Sequence, residues 1–443
     1  MRSERIFNAV LLVLATLFVV VGGLYAVLTP PWQAPDEPAH YNYVAQVAGA
    51  GCCPVIAPGD WDSAQLGALL GEQFPPHADL SPIEYEDHQP PLYYLLAAPV
   101  FVATGGSLLA LRLFSVALGA GLLIVSALAA RQIFPARLPL ALSAGVFVAF
   151  VPQHVAILAS VNNDALAELV LAAVILAALA YSTGARRLHP AVLGLLVGLA
   201  FLTKLTVYGP AVLAAAAAIT VRAGQEQRPF GWFVAQAAWA GGVALVLGAL
   251  WWARNAAVYG WPDVLAQAAH NRVVVGQLRT AELLAEIGQR AYLNRFVTTT
   301  FHSFWGQFGW MAVPMPARIY WLAGLFSAFA AAGLVVLFVV RRPALTPTRR
   351  ATLWVLAVVL LATAANYLIY NRTFVQLQGR YLFTALLPLG VLASAGLWGW
   401  ARLLGGASEP RSRLLVWLPL IVMLWLPALA VYALFRFVVP FLG

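Results

Sequence analysis

Two adjacent carboxylates, Asp36 and Glu37, follow the first long apolar run of the sequence, and His40 and Tyr41 come shortly after them. The chain has only 17 acidic residues among 443. Because desolvating a carboxylate is costly, acids beside a membrane span often mark a functional site. If a helix begins here, Asp36 and His40 share one face and can act as a general base and its orienting partner. The alternative interpretation is an ordinary solvated loop.

A second polar group, formed by Glu86, Asp87 and His88, precedes the Pro90-Pro91 step into an apolar, aromatic segment. Two prolines fix an extended entry and then start a helix. The acids can therefore belong to a site or can simply cap that helix, since acidic side chains favour helix N-termini.

A third polar group, Asn163 and Asp164, lies between two strongly apolar runs. Asp164 is a suitable N-cap for the helix that follows. A capping role leaves room for a functional contact, so both interpretations stay open.

Five cationic side chains lie within or at the ends of apolar segments: Arg112, Lys204, Arg254, Arg372 and Arg380. Each can anchor the protein by extending its charge to the membrane interface. Together, and facing an acidic segment, they predict a site for an anionic head group, because arginine binds phosphate oxygens in pairs.

Aromatic residues cluster around Trp305 and Gln307 in the segment 304–310 (FWGQFGW). Aromatic residues at a membrane boundary usually form an interfacial belt. Aromatic faces with an amide between them also suit a sugar ring, which is the second interpretation.

Composition defines the class of protein that carries these groups. The chain is 62% hydrophobic and 10% charged, with a mean hydropathy of +0.82, whereas a soluble domain is about 25% charged. Many apolar runs approach the roughly 20 residues that cross a bilayer. We expect a polytopic helical membrane protein with a retained first span. The adjacent Cys52 and Cys53 can form a disulfide or bind a soft metal, and two ligands alone make no zinc site.

Charge distribution predicts the topology. Of twelve apolar segments, 92–104 is short, and counting it as a span would place the arginine-rich loops outside the cytoplasm. Without it, eleven spans place 15 of the 26 basic residues and three of the 17 acids in the cytoplasm. The positive-inside rule therefore favours eleven spans and a cytoplasmic N-terminus. We expect one membrane domain, 1–443, with two large extracytoplasmic loops, 29–107 and 253–318.

These groups, in this order, resemble the polytopic glycosyltransferases of the C superfamily (GT-C), especially the protein O-mannosyltransferase and lipid A aminoarabinose transferase group and the DUF2142 type. Asp36-Glu37 resembles the acidic motif of the first loop. The segment 88–92 (HQPPL) is similar to the element that opens a juxtamembrane helix. The remaining similar motifs are 112–115 (RLFS), 163–166 (NDAL), 252–255 (WARN), 259–260 (YG) and 378–382 (QGRYL).

The resemblance implies an all-α membrane fold of about 11 transmembrane helices with interfacial juxtamembrane helices. It implies transfer, with inversion, of a hexose or pentose from a polyprenyl-phosphate donor to an extracytoplasmic glycan, lipid or protein. Asp36 would be the general base, with Glu37 in support. The lipid phosphate would be bound by His88, Lys204, Arg254 and Arg380. The sugar or acceptor pocket would be formed by His40, Glu86, Asp87, Asn163, Asp164, Trp305, Gln307, Gln378 and Tyr381.

The resemblance also implies partners and a location. The expected partners are the donor lipid, the bilayer and the acceptor, with no nucleic acid. No cofactor is required, although some relatives bind a divalent cation and the acids of 84–87 could accommodate one. The protein is expected in a bacterial cytoplasmic membrane with its site on the extracytoplasmic face, and segment 92–104 is expected to line the lipid entry. The competing hypotheses are a transporter or flippase of lipid-linked saccharides and a non-catalytic scaffold.

Overall fold

A computed structural model describes residues 2–184, 188–340, 346–405 and 412–443. The described chain is almost entirely helical. Its helices are α1 (Arg2–Leu28), α2 (Glu37–Ala50), α3 (Ser63–Gly71), α4 (Leu92–Thr104), α5 (Leu108–Ile133), α6 (Leu138–Phe150), α7 (Pro152–Leu158), α8 (Asp164–Ser182), α9 (Pro190–Phe201), α10 (Tyr208–Gln225), α11 (Phe230–Tyr259), α12 (Gln267–Val273), α13 (Thr280–Trp305), α14 (Ala317–Val335), α15 (Pro347–Tyr370), α16 (Leu386–Leu404), α17 (Arg413–Met423), α18 (Trp425–Ala433) and α19 (Val439–Leu442).

Shorter elements complete the fold. They are the 3₁₀ turns Leu205–Val207 and Gly379–Ala385, the π-helical turns Val336–Val340 and Leu434–Val438, and the antiparallel strands β1 (Gln307–Phe308) and β2 (Val313–Pro314). Six charged residues that the topology prediction uses lie outside the described residues: Arg186, Arg187, Arg341, Arg342, Glu409 and Arg411.

Within the described ranges, nine helices are long and apolar enough to cross a membrane. The pair α6 and α7, bent by 66° ahead of Pro152, makes a tenth if it forms one span. The one remaining predicted span, 190–207, contains the 12-residue helix α9. The predicted all-α polytopic fold is therefore confirmed, and the predicted number of spans is close to the observed one.

Helix α4 is only 13 residues long, which is too short to cross a bilayer, as predicted. It begins directly after Pro90-Pro91 and ends at Thr104. The next residue, Gly105, caps the helix with a φ of 64°, which a residue with a side chain rarely adopts. The buried side of α4 packs on α2 and α5. The helix thus supports α2, the helix that begins beside Asp36.

Helix α2 begins where the sequence predicted a helix. Asp36 is its N-cap residue and has a left-handed backbone with a φ of 65°, which is uncommon for a residue other than glycine. Pro38 occupies the first turn, where its missing N–H costs nothing. The His40 N–H donates to the Asp36 carbonyl at 3.1 Å, so both residues belong to the first turn.

Glycines allow α14 and α16 to approach closely. A Cβ atom added to Gly333 would lie 2.1 Å from the carbonyl oxygen of Gly396, and one added to Gly396 would lie 2.0 Å from that of Ala330. Small residues at helix contacts are typical of membrane proteins, where close backbone packing stabilises the bundle. This contact fixes α16, the helix that follows the turn containing Arg380.

Candidate active site

A cavity of about 540 Å³ lies between α2, the segment before α4, the N-terminal ends of α8 and α10, and the C-terminal end of α15. Eight of the residues singled out in the sequence line it: Asp36, His40, Glu86, His88, Asp164, Lys204, Arg380 and Tyr381. They come from distant parts of the chain, so the fold brings together acids, imidazoles and cations that the sequence separates.

Asp36 presents its carboxylate to this cavity. Oδ1 accepts a hydrogen bond from the Tyr85 hydroxyl at 2.9 Å, and Oδ2 accepts one from Arg380 Nη2 at 2.6 Å. Burial by itself raises the pKa of this carboxyl, but the charge of Arg380 and the hydrogen bonds from Arg380 and Tyr85 together lower the pKa below its ordinary value. Asp36 is therefore a fixed, ionised carboxylate that remains 20% exposed.

Glu37 lies in a different environment, because its side chain is fully buried and does not line the cavity. It forms a two-point ion pair with Arg112, with Nε to Oε1 at 2.8 Å and Nη2 to Oε2 at 2.6 Å. It also accepts from the backbone N–H groups of Trp32 and Val161. These contacts make Glu37 a positioning residue that ties the start of α2 to the segment before Asp164, so the geometry does not support its predicted place beside Asp36 as a catalytic carboxylate.

Besides the pair of Asp36 with Arg380, a second ion pair lines the cavity. Lys204 Nζ lies 2.6 Å from Asp164 Oδ1, and both side chains are partly exposed to the cavity. Asp164 is the first residue of α8, where a carboxylate also favours the positive end of the helix. Asp164 and Lys204 therefore form one ion pair at the cavity wall. The sequence places them in two separate groups, one polar and one cationic.

A divalent cation bound by Asp36 or Asp164 does not suit this cavity. Asp36 and Asp164 already bond Arg380 and Lys204, respectively, at 2.6 Å each. A metal ion would have to displace an arginine or a lysine to reach either carboxylate. The chemistry assigned to Asp36 and Asp164 therefore involves no metal ion.

His40 lies on the same helical turn as Asp36 and is buried. Its Nδ1 atom is 2.8 Å from the hydroxyl of Tyr94, whose ring stacks on that of Tyr43 at 3.6 Å. Burial lowers the pKa of His40, against the charges of Glu86 and Asp36, which raise it. His40 is thus a neutral imidazole oriented by Tyr94, whereas Asp36 is oriented by Tyr85 and Arg380. The predicted role of His40 as the orienting partner of Asp36 stays a prediction.

His88 lines the cavity, and its ring lies 4.2 Å from that of His270. Its Nδ1 donates to the Tyr85 carbonyl at 3.0 Å, which leaves Nε2 as the acceptor in the neutral ring. The Gln89 side chain donates to this Nε2 at 3.4 Å, a long bond that a ligand hydroxyl can replace. Burial and the nearby His270 lower the pKa of His88 well below its ordinary value. His88 can therefore bind a hydroxyl as it stands, whereas the predicted contact with phosphate would require its protonation.

Arg254 does not line the cavity, in contrast to its predicted role as a phosphate ligand. Its Nη2 donates to the carbonyls of Cys53 and Pro54, and its guanidinium lies over the rings of Trp251 and Tyr259. The arginine thus fastens the chain after α2 to the end of α11.

Cys52 and Cys53 form a disulfide with each other, so neither thiol is free for a soft metal.

Trp305 and Gln307 also lie outside the cavity lining. Trp305 is 2% exposed and packs among aromatic rings, including those of Phe326 and Trp425. Gln307 belongs to β1, and its side chain donates to the Met311 carbonyl. Trp305 therefore has a buried packing role. This role differs from both predicted interpretations, an interfacial belt and a surface for a sugar ring.

Three further predicted pocket residues lie behind the lining. Gln378 donates to the side chain of Gln376, and Asn163 lies 3.4 Å from Gln89 Oε1 and from the Tyr94 hydroxyl. Asp87 is buried and does not line the cavity. These residues support the site's walls rather than contact its contents.

The cavity also has lining residues that the sequence did not single out. One of them is His270 of α12, whose ring lies against that of His88. Tyr85 does not line the cavity itself but donates to Asp36, which does. On the membrane side the walls are Tyr208 and Gly209 of α10 and Ile369 of α15, whereas α4 contributes no lining residue. The prediction that 92–104 lines the lipid entry is therefore wrong for this cavity. Tyr85, between two acids in a run already noted, could have been found from the sequence.

Comparisons with known proteins agree with this fold. The family described as predicted membrane protein (DUF2142) matches residues 72–389. No curated protein matches the chain.

Among solved structures, the chain is similar to ArnT from Cupriavidus metallidurans bound to undecaprenyl phosphate, with 18% identity, 99% of this chain and 73% of that chain covered, and a TM-score of 0.51. The apo state of that ArnT gives 16% identity, 99% and 74% coverage and a TM-score of 0.50. The apo oligosaccharyltransferase from Archaeoglobus fulgidus gives 14% identity, 96% and 55% coverage and a TM-score of 0.48. The ArnT likeness confirms the predicted GT-C-like fold.

Proposed function

We propose that this chain, which belongs to the DUF2142 family of predicted membrane proteins, is a membrane glycosyltransferase that moves a sugar from a polyprenyl-phosphate donor to an acceptor hydroxyl on the extracytoplasmic face. The observation that carries the proposal is Asp36, an ionised carboxylate fixed by Tyr85 and Arg380 at the wall of a large cavity. A fold shared with a protein that binds undecaprenyl phosphate supports the donor class.

Asp36 is proposed as the general base. The acceptor oxygen attacks the anomeric carbon as the bond from that carbon to the phosphate oxygen breaks, and the hydroxyl proton passes to Asp36. Because attack comes from the side opposite the leaving phosphate, the configuration inverts. A base with a lowered pKa is adequate here, since the hydroxyl becomes acidic as its oxygen bonds to the oxocarbenium-like centre.

Lys204 and Arg380 are proposed to bind the phosphate. Lys204 has three donors and spends one on Asp164, and the Nε of Arg380 has no hydrogen-bond partner among the described residues. Donors placed where negative charge develops on the leaving group stabilise the transition state. Both cations line the cavity, which Arg254 does not.

The ion pair of Asp36 with Arg380 couples binding to basicity. The charge of Arg380 is one cause of the lowered pKa of Asp36. When phosphate shares that guanidinium, the carboxylate loses part of its stabilisation and becomes a better proton acceptor. Asp36 is therefore expected to be a stronger base with the donor lipid bound than without it.

Hydroxyl recognition is assigned to the remaining polar lining. Glu86 has a buried Oε2 without a hydrogen-bond partner among the described residues, and His88 Nε2 can accept from a hydroxyl in place of its 3.4 Å bond from Gln89. Tyr381 adds an aromatic face beside Arg380. Sugars present hydroxyl donors on one face and C–H groups on the other, and this set of side chains suits both.

The polyprenyl chain is proposed to leave the cavity between α10 and α15. Leu205, Tyr208 and Gly209 face Ile369 and Tyr370 across that side of the cavity. A Cβ atom on Gly209 would lie in ordinary contact, at 3.7 Å, with both polar side-chain atoms of Asn366, so a side chain longer than alanine would extend into the space beside Asn366. An apolar opening between two helices suits an isoprenoid tail.

One observation favours a second candidate, a transporter or flippase of lipid-linked saccharides. Glu168 lines the cavity within the span α8 and lies 2.6 Å from His154 Nε2. Ionisable pairs inside a membrane bundle often serve transport. Under this hypothesis Glu168, rather than Asp36, would control activity.

The experiment that separates the two uses the purified protein in nanodiscs and in sealed vesicles, with a panel of undecaprenyl-phosphate-linked sugars and a hydroxyl-rich membrane extract. A transferase releases undecaprenyl phosphate in nanodiscs, where no second compartment exists, and does so in Glu168→Gln as well. A flippase moves the lipid across vesicles, releases nothing in nanodiscs and fails in Glu168→Gln. The second pattern would refute the proposed function.

A further inference from the structure

A group of three carboxylates lies outside the proposed active site. Oxygen atoms of Asp60, Glu84 and Asp87 all lie within 4.8 Å of one another. The backbone joins the two segments, because the Glu84 N–H donates to the Asp60 carbonyl at 3.1 Å. Like charges so close together repel each other, and a fold that holds them in place needs a compensating charge or proton.

Asp87 gives the group a second, independent feature. Its side chain is 1% exposed, and Oδ1 is buried without a hydrogen-bond partner among the described residues. Only Oδ2 is used, by the Gln46 side chain at 2.9 Å. Burying a carboxylate oxygen without a partner is costly, so this atom is either protonated or positioned for a ligand.

Electrostatics agree with the geometry. Burial and the charges of Glu84, Asp60 and Glu86 raise the pKa of Asp87 to about 8, against the hydrogen bond from Gln46. Burial also raises the pKa of Asp60 and of Glu84. A cation at the centre of the group would satisfy all three carboxylates at once.

We propose that Asp60, Glu84 and Asp87 bind a hard divalent cation, with Ca²⁺ the best match. Ca²⁺ takes six to eight oxygen ligands in a flexible arrangement, and water can complete a site built from irregular loops, whereas Mg²⁺ demands a regular octahedron. Asp60 and Glu84 are partly exposed, so an ion can reach them from solvent.

The sequence neighbours of the three acids indicate what the cation would do. Trp61, next to Asp60, packs edge-on against Tyr85 at 5.0 Å, and Tyr85, next to Glu84, donates to Asp36. His88, next to Asp87, lines the cavity. A cation here would therefore position Tyr85 and His88 without touching the reacting groups.

The test is calorimetric titration of the EDTA-stripped full chain with CaCl₂ and, separately, MgCl₂. We expect one Ca²⁺ per chain, bound more tightly than Mg²⁺, with affinity at least about tenfold lower in Asp60→Asn, Glu84→Gln and Asp87→Asn. Glu72→Gln removes an exposed acid of the same loop and should leave the affinity unchanged.

A wild-type protein that binds no Ca²⁺, or equal affinity in all three variants, would overturn the proposal, and tighter Mg²⁺ binding would overturn the choice of ion. If a variant fails to fold, the wild-type unfolding temperature decides, because a bound ion must raise it with increasing CaCl₂. A protonated Asp87 without a metal predicts no such rise. Neither readout uses donor or acceptor, so the result is independent of the proposed transfer reaction.

Discussion

The carboxylates of Asp36 and Glu37 are adjacent in sequence but lie in opposite environments. Asp36 faces the cavity and bonds Tyr85 and Arg380, whereas Glu37 is fully buried against Arg112. The left-handed backbone at Asp36 places the helix start between them. One acid is therefore available for proton transfer, and the other holds the segment that presents it.

Replacing Glu37 with Gln should destabilise the protein. The change leaves the guanidinium of Arg112 buried without its anion, and breaking a buried pair in this way costs about 3–5 kcal/mol. Thermal unfolding in detergent measures the loss, with Glu72→Gln as the control. A Glu37→Gln protein with wild-type stability but no transfer would instead give Glu37 a chemical role.

Replacing Arg380 with Gln should shift the pH profile of transfer. Arg380 helps to lower the pKa of Asp36, and burial, which raises the pKa, remains after the change. The acid limb of kcat/KM, which reports the free protein's base, should therefore move to higher pH. If Arg380→Gln lowers the activity but leaves the acid limb of kcat/KM at the same pH, Asp36 is not the titrating base.

The same pair affects stability, with a definite sign. Because the folded pKa of Asp36 is lowered, its contribution is present above the unfolded value of about 3.9 and is lost as the pH falls through the folded pKa. Unfolding temperatures measured from pH 7 downwards should fall less steeply in Arg380→Gln than in the wild type. Parallel curves for the two proteins would contradict this linkage.

Replacing Gly209 with Leu should obstruct the gap between α10 and α15. The new side chain would fill the space before Asn366, and the donor's KM should rise by about tenfold, or roughly 1.4 kcal/mol. Gly224→Leu is the matched control, because it lies near the other end of α10 with nothing within 4 Å of its Cβ position. An unchanged KM for long-chain donors would exclude this path for the lipid.

The sequence predicted those features that depend on local pattern. Apolar length and charge asymmetry gave the polytopic helical fold, and the Pro-Pro step and short length marked α4 as a helix that does not cross. The helix start beside Asp36 followed from Pro38 and the spacing to His40. These features depend on propensity, length and charge, which act within a few residues.

Long-range partners could not be read in this way. Arg112 lies 75 positions from Glu37, and only the folded structure reveals their pairing. Trp305 lies among other aromatic residues in the segment 304–310, so the sequence does not say which of these side chains is buried. Arg254 bonds to backbone carbonyls, which any residue can supply, and no side-chain pattern identifies such a contact.

The most direct measurement of the central claim compares Asp36→Asn with the wild type. The amide keeps the shape and an acceptor for Tyr85 but cannot take the hydroxyl proton. We predict that kcat for transfer falls by about 10²–10⁴-fold in a protein that still folds and still binds undecaprenyl phosphate, although its unfolding temperature falls because Arg380 loses its anion. The exposed Asp79→Asn is the matched control. Transfer by Asp36→Asn at the wild-type rate, in a folded protein that binds the lipid, would contradict the role of Asp36 as the base.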